Sequence, residues 1–301
     1  MKPPDLEKLR RSGLISATAR EHGRKMARPG VKIEAIAREC EEMILDMGGK
    51  PAFPAQLSRN HIAAHYCSPP EDPTELQPDD IVKLDLGTQV DGYVTDNAVT
   101  IDLRDGEESL IVAASRMALE NAISIMGPGV SITEIGQQIE STVKALGFNP
   151  VYNLTGHGVA RYTIHCAPSI PNYPDRKAGR LRANMTIACE PFVSDGRGYI
   201  DVQGKAEVFM LKRRIRPKDN VSVAMADAIN AAEGLPFARR HLLETLGSEK
   251  RVEETLKTLL KKGLLEDYPP LCEKPGVRVA QTEHTIFIGE DGAEVVTCLP
   301  T

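Results

Sequence analysis

The chain has 301 residues, of which 41% are hydrophobic and 26% charged, a composition that excludes a mainly disordered protein. Lys and Arg number 37 against 42 Asp and Glu, a net charge of −5, which argues against a protein that wraps nucleic acid through its phosphates. The amino terminus, MKPPDLEKLRRSG, is charged and lacks the apolar core of a signal peptide. No run of about 18 apolar residues offers a membrane span. The cysteines (Cys40, Cys67, Cys166, Cys189, Cys272 and Cys298) form no CxxC pair, the usage of a reduced, cytoplasmic chain.

In chain order, the first feature is an internal repeat. Residues 16–51 and 115–150 align without a gap, and eleven of 36 positions are identical. Each copy predicts a helix (roughly 12–27 and 107–126), a Pro-Gly turn at Pro29-Gly30 or Pro128-Gly129, and a second helix. Ile33, Ile36 and Ile44, or Ile132, Ile135 and Val143, would line the buried face of that second helix. Gly48 or Gly147 would end it as a glycine cap. A strand-like region follows each copy. Two helices plus strands, twice, predict an α+β domain with pseudo-twofold halves, and a site between such halves draws ligands from both.

Strand-like runs follow at about 185–193 and 199–211. From about 218 to 266 the chain reads as helical, with Val252, Leu256, Leu259, Leu260 and Leu264 on one apolar face and Ser248 placed to cap. Arg213, Arg214, Arg216, Lys218, Arg239, Arg240, Lys261 and Lys262 in this block read mostly as a solvated face, with a partner-binding role as the lesser alternative. The end of the chain, VRVAQTEHTIFIGEDGAEVVT, predicts a β-hairpin turning near Glu290-Asp291-Gly292. The helical block thus reads as an insertion between strands of the main domain.

The densest motif is IVKLDLGTQVDGYVTDNAVT. Two strand-like runs flank Asp91-Gly92, a hairpin dipeptide. With these as the two turn residues, Asp96 lies opposite Gly87 and shares a sheet face with Asp85, roughly 7–8 Å away on the diagonal. Carboxylates in an apolar strand need a partner or a cation. On this motif alone a structural pair at a turn, or the DLGT phosphate loop of actin-like kinases, also remains open. NLTGHGVARYTIHC places His157 between two glycines, with His165 after it; a lone histidine more often packs than ligates. Glu190 in TIACEPFV and Glu283 in VAQTEHTIFI add two acids in strand contexts. Four acids and one imidazole suit a two-metal hydrolytic site better than a structural zinc. His65 after the first repeat and His165 after the second suggest two histidines flanking one cleft. His61 and His284 read as surface or supporting groups, and the cysteines as packing residues.

The segments AFPAQLSRNHIAAHY, KLDLGTQVDGYVTDNAVT, LTGHGVARYTIHCAPSIPN, ACEPF and QTEHTIFI resemble those of type 2 methionine aminopeptidases, most of all the archaeal form, over nearly the whole chain. The resemblance implies the pita-bread fold, with residues 1–209 and 276–301 as the catalytic domain and 210–275 as the helical insertion of type 2 enzymes. It implies removal of N-terminal methionine from nascent proteins and peptides by water activated at two divalent ions (Co, Mn, Fe or Zn). Asp85, Asp96, His157, Glu190 and Glu283 would be the metal ligands, with Asp96 and Glu283 bridging. Glu190 would also relay a proton. His65 and His165 would hold the scissile carbonyl and stabilise the tetrahedral charge. Phe53 and Ile164 would line the methionine pocket, beside His65 and His165. Transient ribosome association fits such a substrate; no membrane and no specific nucleic acid are implied, and a monomer is the default. VARY after GHG, His61 before IAAHY, and Cys67 and Cys166 depart from the commoner spelling and bear on substrate preference near His65 and His165. The competing readings are an Xaa-Pro dipeptidase of the same fold and a non-catalytic pita-bread protein that associates with ribosomes or RNA.

Overall fold

The computed structural model describes residues 1–104, 109–219 and 221–300. Positions 107 and 108 of the expected third helix, and 220 of the expected helical block, lie outside the described residues.

The first repeat folds as helices α1 (Pro3–Met26) and α2 (Ile33–Asp46). Strands β1 (Lys50–Arg59), β2 (Ile62–Ala64), β3 (Ile81–Val90) and β4 (Tyr93–Asp102) follow. The second repeat gives α3 (Leu110–Ser124) and α4 (Ile132–Ala145), then β5 (Asn149–Pro150), β6 (Thr155–Ala160), β7 (Thr163–Pro171), β8 (Met185–Cys189) and β9 (Phe192–Ser194). In both copies the Pro-Gly glycine and the helix-ending glycine adopt positive φ, at Gly30, Gly48, Gly129 and Gly147.

Each helix pair backs its own sheet. Ile33, Ile36 and Ile44 of α2, with Ile15 of α1, pack on Leu57, Val82, Leu84 and Leu86 of a sheet ordered β1-β3-β4. Ile132, Ile135, Ile139 and Val143 of α4, with Leu119 of α3, pack on Ile170, Ile187 and Ile286. Each fully buried side chain of this kind contributes about 1.5–3 kcal/mol. The helices occupy the backs of the sheets and leave the opposite faces free to form a site.

The chain continues through β10 (Asp201–Val202) and β11 (Val208–Leu211), then α5 (Val223–Asn230), β12 (Phe237–Ala238), α6 (Arg239–Leu246), α7 (Glu249–Lys261) and β13 (Leu265–Tyr268). This block is less helical than the sequence predicts. β12, β11 and β13 form an antiparallel sheet, and β11 pairs with a strand more than fifty residues away, which short-range periodicity does not reveal. Val252, Leu256, Leu259 and Leu264 do share one core with Ile229 and Leu242. Ser248 stands at the cap position of α7, but its side chain makes no capping bond.

Arg214, Arg216, Lys218, Lys261 and Lys262 are exposed, as expected of a mostly solvated face, but Arg240 is an exception. Arg240 is 1% exposed, paired with buried Glu41 of α2 and donating to Cys67 Sγ at 2.7 Å. Arg239 pairs with Glu207, and Arg213 with Asp219. A guanidinium enters a protein interior when acceptors await it, and Glu41 lies some 200 positions earlier in the chain.

The last strands are β14 (Leu271–Cys272), β15 (Val279–Gln281), β16 (His284–Ile288) and β17 (Ala293–Val295). β16 and β17 form the expected hairpin. It joins the second sheet, ordered β17-β16-β8-β6-β7. Among the described residues no helix is long and apolar enough to cross a membrane.

Candidate metal centre

The β3–β4 hairpin positions the first two carboxylates. Asp91 and Gly92 both have positive φ, 51° and 84°, as a two-residue type I′ turn requires. Gly87 then pairs with Asp96 and Asp85 with Ala98, the register read from the sequence, so both carboxylates stand on one face. β6 carries His157 between β7 and β8. A Cβ at Gly156 would lie 2.4 Å from the Ala188 carbonyl oxygen, and one at Gly158 2.3 Å from that of Ala167. Both glycines are therefore demanded by neighbouring backbone, and the histidine between them is held in place. Glu190 directly follows β8. Glu283 sits between β15 and β16, where its backbone bridges to Ala98 of β4.

These side chains converge on a cavity of about 340 Å³. Asp85, Asp96, His157, Glu190 and Glu283 all line it, as do His65, His165, Phe53 and Ile164. Donor atoms of Asp96, His157 and Glu283 lie within 4.8 Å of one another. His157 Nε2 is 3.6 Å from Asp96 Oδ2 and 3.6 Å from Glu190 Oε1, beyond hydrogen-bond range. Its Nδ1 is 3.2 Å from the Gly158 carbonyl, which places the proton there and turns the Nε2 lone pair toward the carboxylates.

Burial, then mutual repulsion, dominates the electrostatics. Burial pushes the Asp85 carboxyl up to about 7. Asp96 rises well above its ordinary value through burial and the charges of Asp85 and Glu190. Glu190 rises through burial and Asp85, and Glu283 through burial and the charges of Asp96, Glu190 and Asp85. Burial, aided by His165, takes His157 down to about 3. Among the described residues no lysine or arginine forms a salt bridge with the four acids; the contacts of that kind run to His157. Asp85 Oδ1, Asp96 Oδ1 and Glu283 Oε1 are buried without any hydrogen-bond partner. Orphaned, converging carboxylate oxygens with one imidazole nitrogen have the donor chemistry of a divalent-cation site.

The two flanking histidines meet at a tyrosine. The ring of His65 lies edge-on to Tyr268, centroids 5.5 Å apart, and that of His165 lies 6.2 Å from the same ring. His165 also stands 4.3 Å from His157. Burial, then the neighbouring His165, takes His65 down to about 4, so it is neutral at pH 7. His65 holds a left-handed backbone, φ 66°, a strained state for a non-glycine residue at a cavity wall. Phe53 and Ile164 share an apolar cluster with Val94, Val159 and Leu235. His284 points elsewhere, its Nδ1 2.9 Å from Thr297 Oγ1, and His61 is half-buried.

A model of the metallopeptidases called family M24 matches residues 7–233, three quarters of the chain. The chain belongs to metallopeptidase family M24. Within that family, a methionine aminopeptidase of Archaeoglobus fulgidus is 38% identical over 293 residues, 97% of this chain and 98% of that protein. One from Pyrococcus abyssi is 39% identical over 97% of this chain and 99% of its own length. The crystal structure of a methionine aminopeptidase from Thermotoga maritima superimposes with a TM-score of 0.73 at 26% identity, covering 99% of this chain and 98% of that one. The M24 fold of this chain is thus the pita-bread fold anticipated above. Its family makes it a metal-dependent hydrolase whose site takes divalent cations.

The sequence did not single out several groups of this M24 site. Gln281 Nε2 donates to Glu190 Oε2 at 3.2 Å and to Glu283 Oε2 at 3.4 Å. It lies two residues before Glu283, so alternation along a strand could have flagged it. Tyr268 and Leu271 enter the cavity from the end of the inserted block, and no local pattern marks them.

Proposed function

We propose that this chain removes N-terminal methionine from peptides and nascent proteins, using two divalent ions held by Asp85, Asp96, His157, Glu190 and Glu283. The convergence of orphaned carboxylate oxygens of Asp85, Asp96 and Glu283 in one cavity carries the reading. In it Asp96 and Glu283 would help to hold both ions. Their oxygen-rich donor set with a single nitrogen suits manganese, iron, cobalt or zinc. When bound, such ions polarise the scissile carbonyl and lower the pKa of a water.

The remaining steps belong to the protein's own groups. Glu190, oriented by Gln281, takes a proton from the water and passes it to the leaving amine. His65 and His165, on either side of Tyr268, donate to the scissile carbonyl oxygen as charge grows on it. Phe53 and Ile164 receive the methionine side chain, whose flexible thioether suits an apolar wall. Residues 1–209 and 276–301 form the catalytic domain in this reading and 210–275 the insertion; a separate core within the block supports an insertion, although that core also takes in Phe209 of β11. The six unpaired cysteines support a cytoplasmic location, where substrates are met as they leave the ribosome.

Paired substitutions test the ligand assignment. Glu283→Ala should abolish hydrolysis of Met-Ala-Ser and lower metal content. His165→Ala should retain the metal while turnover drops about 10²-fold or more. A fully metallated, active Glu283→Ala enzyme would contradict the reading.

A further inference from the structure

The two halves of the molecule meet along a seam between β4 and the strands β15 and β16. One pair of backbone bonds spans it: Ala98 N to Glu283 O at 3.4 Å and Glu283 N to Ala98 O at 3.0 Å. On either side of this bridge the ladder continues through side-chain hydroxyls. Thr285 Oγ1 accepts from Asp96 N at 2.7 Å and donates to Asp96 O at 2.7 Å. Thr100 Oγ1 accepts from Gln281 N at 2.8 Å and donates to Gln281 O at 2.6 Å. The arrangement is itself pseudo-twofold: each half sends one threonine to bind both backbone groups of a residue in the other.

The consequence concerns Asp96. Its carboxylate points into the cavity; within its own half Asp96 pairs with Gly87 of β3, and across the seam Thr285 holds both its N–H and its C=O. Thr285 stands two residues from Glu283 on the same chain segment and is 0% exposed. Its hydroxyl therefore fixes how far Asp96 can slide past Glu283. One hydroxyl here closes on both the N–H and the C=O of a single residue, as the Ala98–Glu283 pair does with two backbone groups. Thr100 performs the same closure on Gln281, whose side chain reaches Glu190 and Glu283.

We infer that Thr285 is a positioning residue for the metal centre, setting the spacing of Asp96 and Glu283 across the seam between the halves. The inference rests on the reading of those two acids as shared metal ligands. Groups that orient ligands typically contribute 10–100-fold to metal affinity.

The test titrates metal-free full-length enzyme with Mn²⁺ by calorimetry and follows its thermal unfolding. Thr285→Ser keeps the hydroxyl and should bind Mn²⁺ within twofold of the wild type. Thr285→Val keeps the shape and loses both bonds; its Mn²⁺ affinity should fall 10–100-fold, with kcat falling more than KM rises. Thr100→Val removes two equivalent bonds at the same seam without touching a ligand's backbone. It should lower the melting temperature as much as Thr285→Val and Mn²⁺ affinity by a smaller factor. Should Thr285→Val not fold, Thr285→Ala replaces it, judged at a temperature where circular dichroism shows it native. Wild-type affinity in the folded Val or Ala variant, or equal losses at Thr285 and Thr100, would overturn the inference. Failure of the wild type itself to bind Mn²⁺ would instead overturn the reading of the site beneath it.

Discussion

Glu41→Gln offers a strong test of how α6 is held against α2. Glu41 of α2 is 8% exposed. It accepts from Ala55 N at 2.8 Å, pairs with the 1%-exposed Arg240, and lies 3.1 Å from His241 Nε2. Arg240 in turn donates to Cys67, two residues past His65, and its Nε already lacks a partner. The amide preserves shape and one acceptor but leaves a buried guanidinium without its counter-charge. Breaking one side of a buried pair costs about 3–5 kcal/mol; with an acceptor retained, ~3 kcal/mol is expected. Unfolding entropy of roughly 2.1 cal/mol/K per residue, taken over the whole chain, converts this to a melting-point drop of about 5 °C. Replacing both members, Glu41→Met with Arg240→Met, should recover most of the loss, because the desolvation penalty leaves with the charges.

The same pair has a pH signature. Burial pushes the Glu41 carboxyl up, but the His241 hydrogen bond and the Arg240 charge together outweigh it and hold it below its ordinary 4.5. A depressed folded value means the stabilisation is complete above about pH 4.5 and is lost as pH falls through the folded value. The gap in melting temperature between wild type and Glu41→Gln should narrow below about pH 4.5. Scanning calorimetry above and below that pH reads both effects. A Glu41→Gln protein melting within 1 °C of wild type at pH 7, or a double variant as unstable as the two single losses combined, would refute the reasoning.

Two further predictions concern the cavity wall. His65→Gly and His65→Ala should both lose activity, yet the glycine variant should be more stable by about 1 kcal/mol in denaturant titration, because φ 66° strains alanine and not glycine. Greater stability of the alanine variant would remove the argument for strain. Ile164→Phe should fill the apolar wall, lowering kcat/KM for Met-Ala-Ser about tenfold or more while Mn²⁺ binding stays unchanged; an unchanged rate would exclude Ile164 from the methionine pocket.

Local features of this fold were legible because their causes are local. The Asp91-Gly92 turn determines the register that puts Asp85 and Asp96 on one face. The glycines around His157 were visible, and the structure adds their reason: backbone packed on both sides. The repeat revealed two halves because each helix pair carries its own punctuation and core spacing. Repeated positions need not share a task, however. Glu41 and Glu140 match in the repeat, but Glu41 binds Arg240 and His241 of α6 while Glu140 accepts from the Tyr152 hydroxyl at 3.2 Å.

What the sequence hid depends on contacts between distant segments. The hydroxyl closures of Thr285 and Thr100 span more than 180 positions. Arg240 reads as one more surface cation because its acceptors, Glu41 on α2 and Cys67 Sγ, lie far away in the chain. Tyr268 reaches His65 and His165 only because β13 pairs with β11, a pairing between short segments that carry no alternation signal. Periodicity over α7 was correct, but it made the surrounding block look wholly helical.

The most direct measurement of the central claim is hydrolysis of Met-Ala-Ser, Leu-Ala-Ser and Ala-Pro by one preparation, first stripped with chelator and then restored with Mn²⁺ or Co²⁺. The account predicts no cleavage without metal and, on restoration, cleavage of Met-Ala-Ser with the other two spared. Cleavage of Ala-Pro alone would place the chain among the dipeptidases of this fold, and no cleavage under any metal would contradict a catalytic role for the cavity.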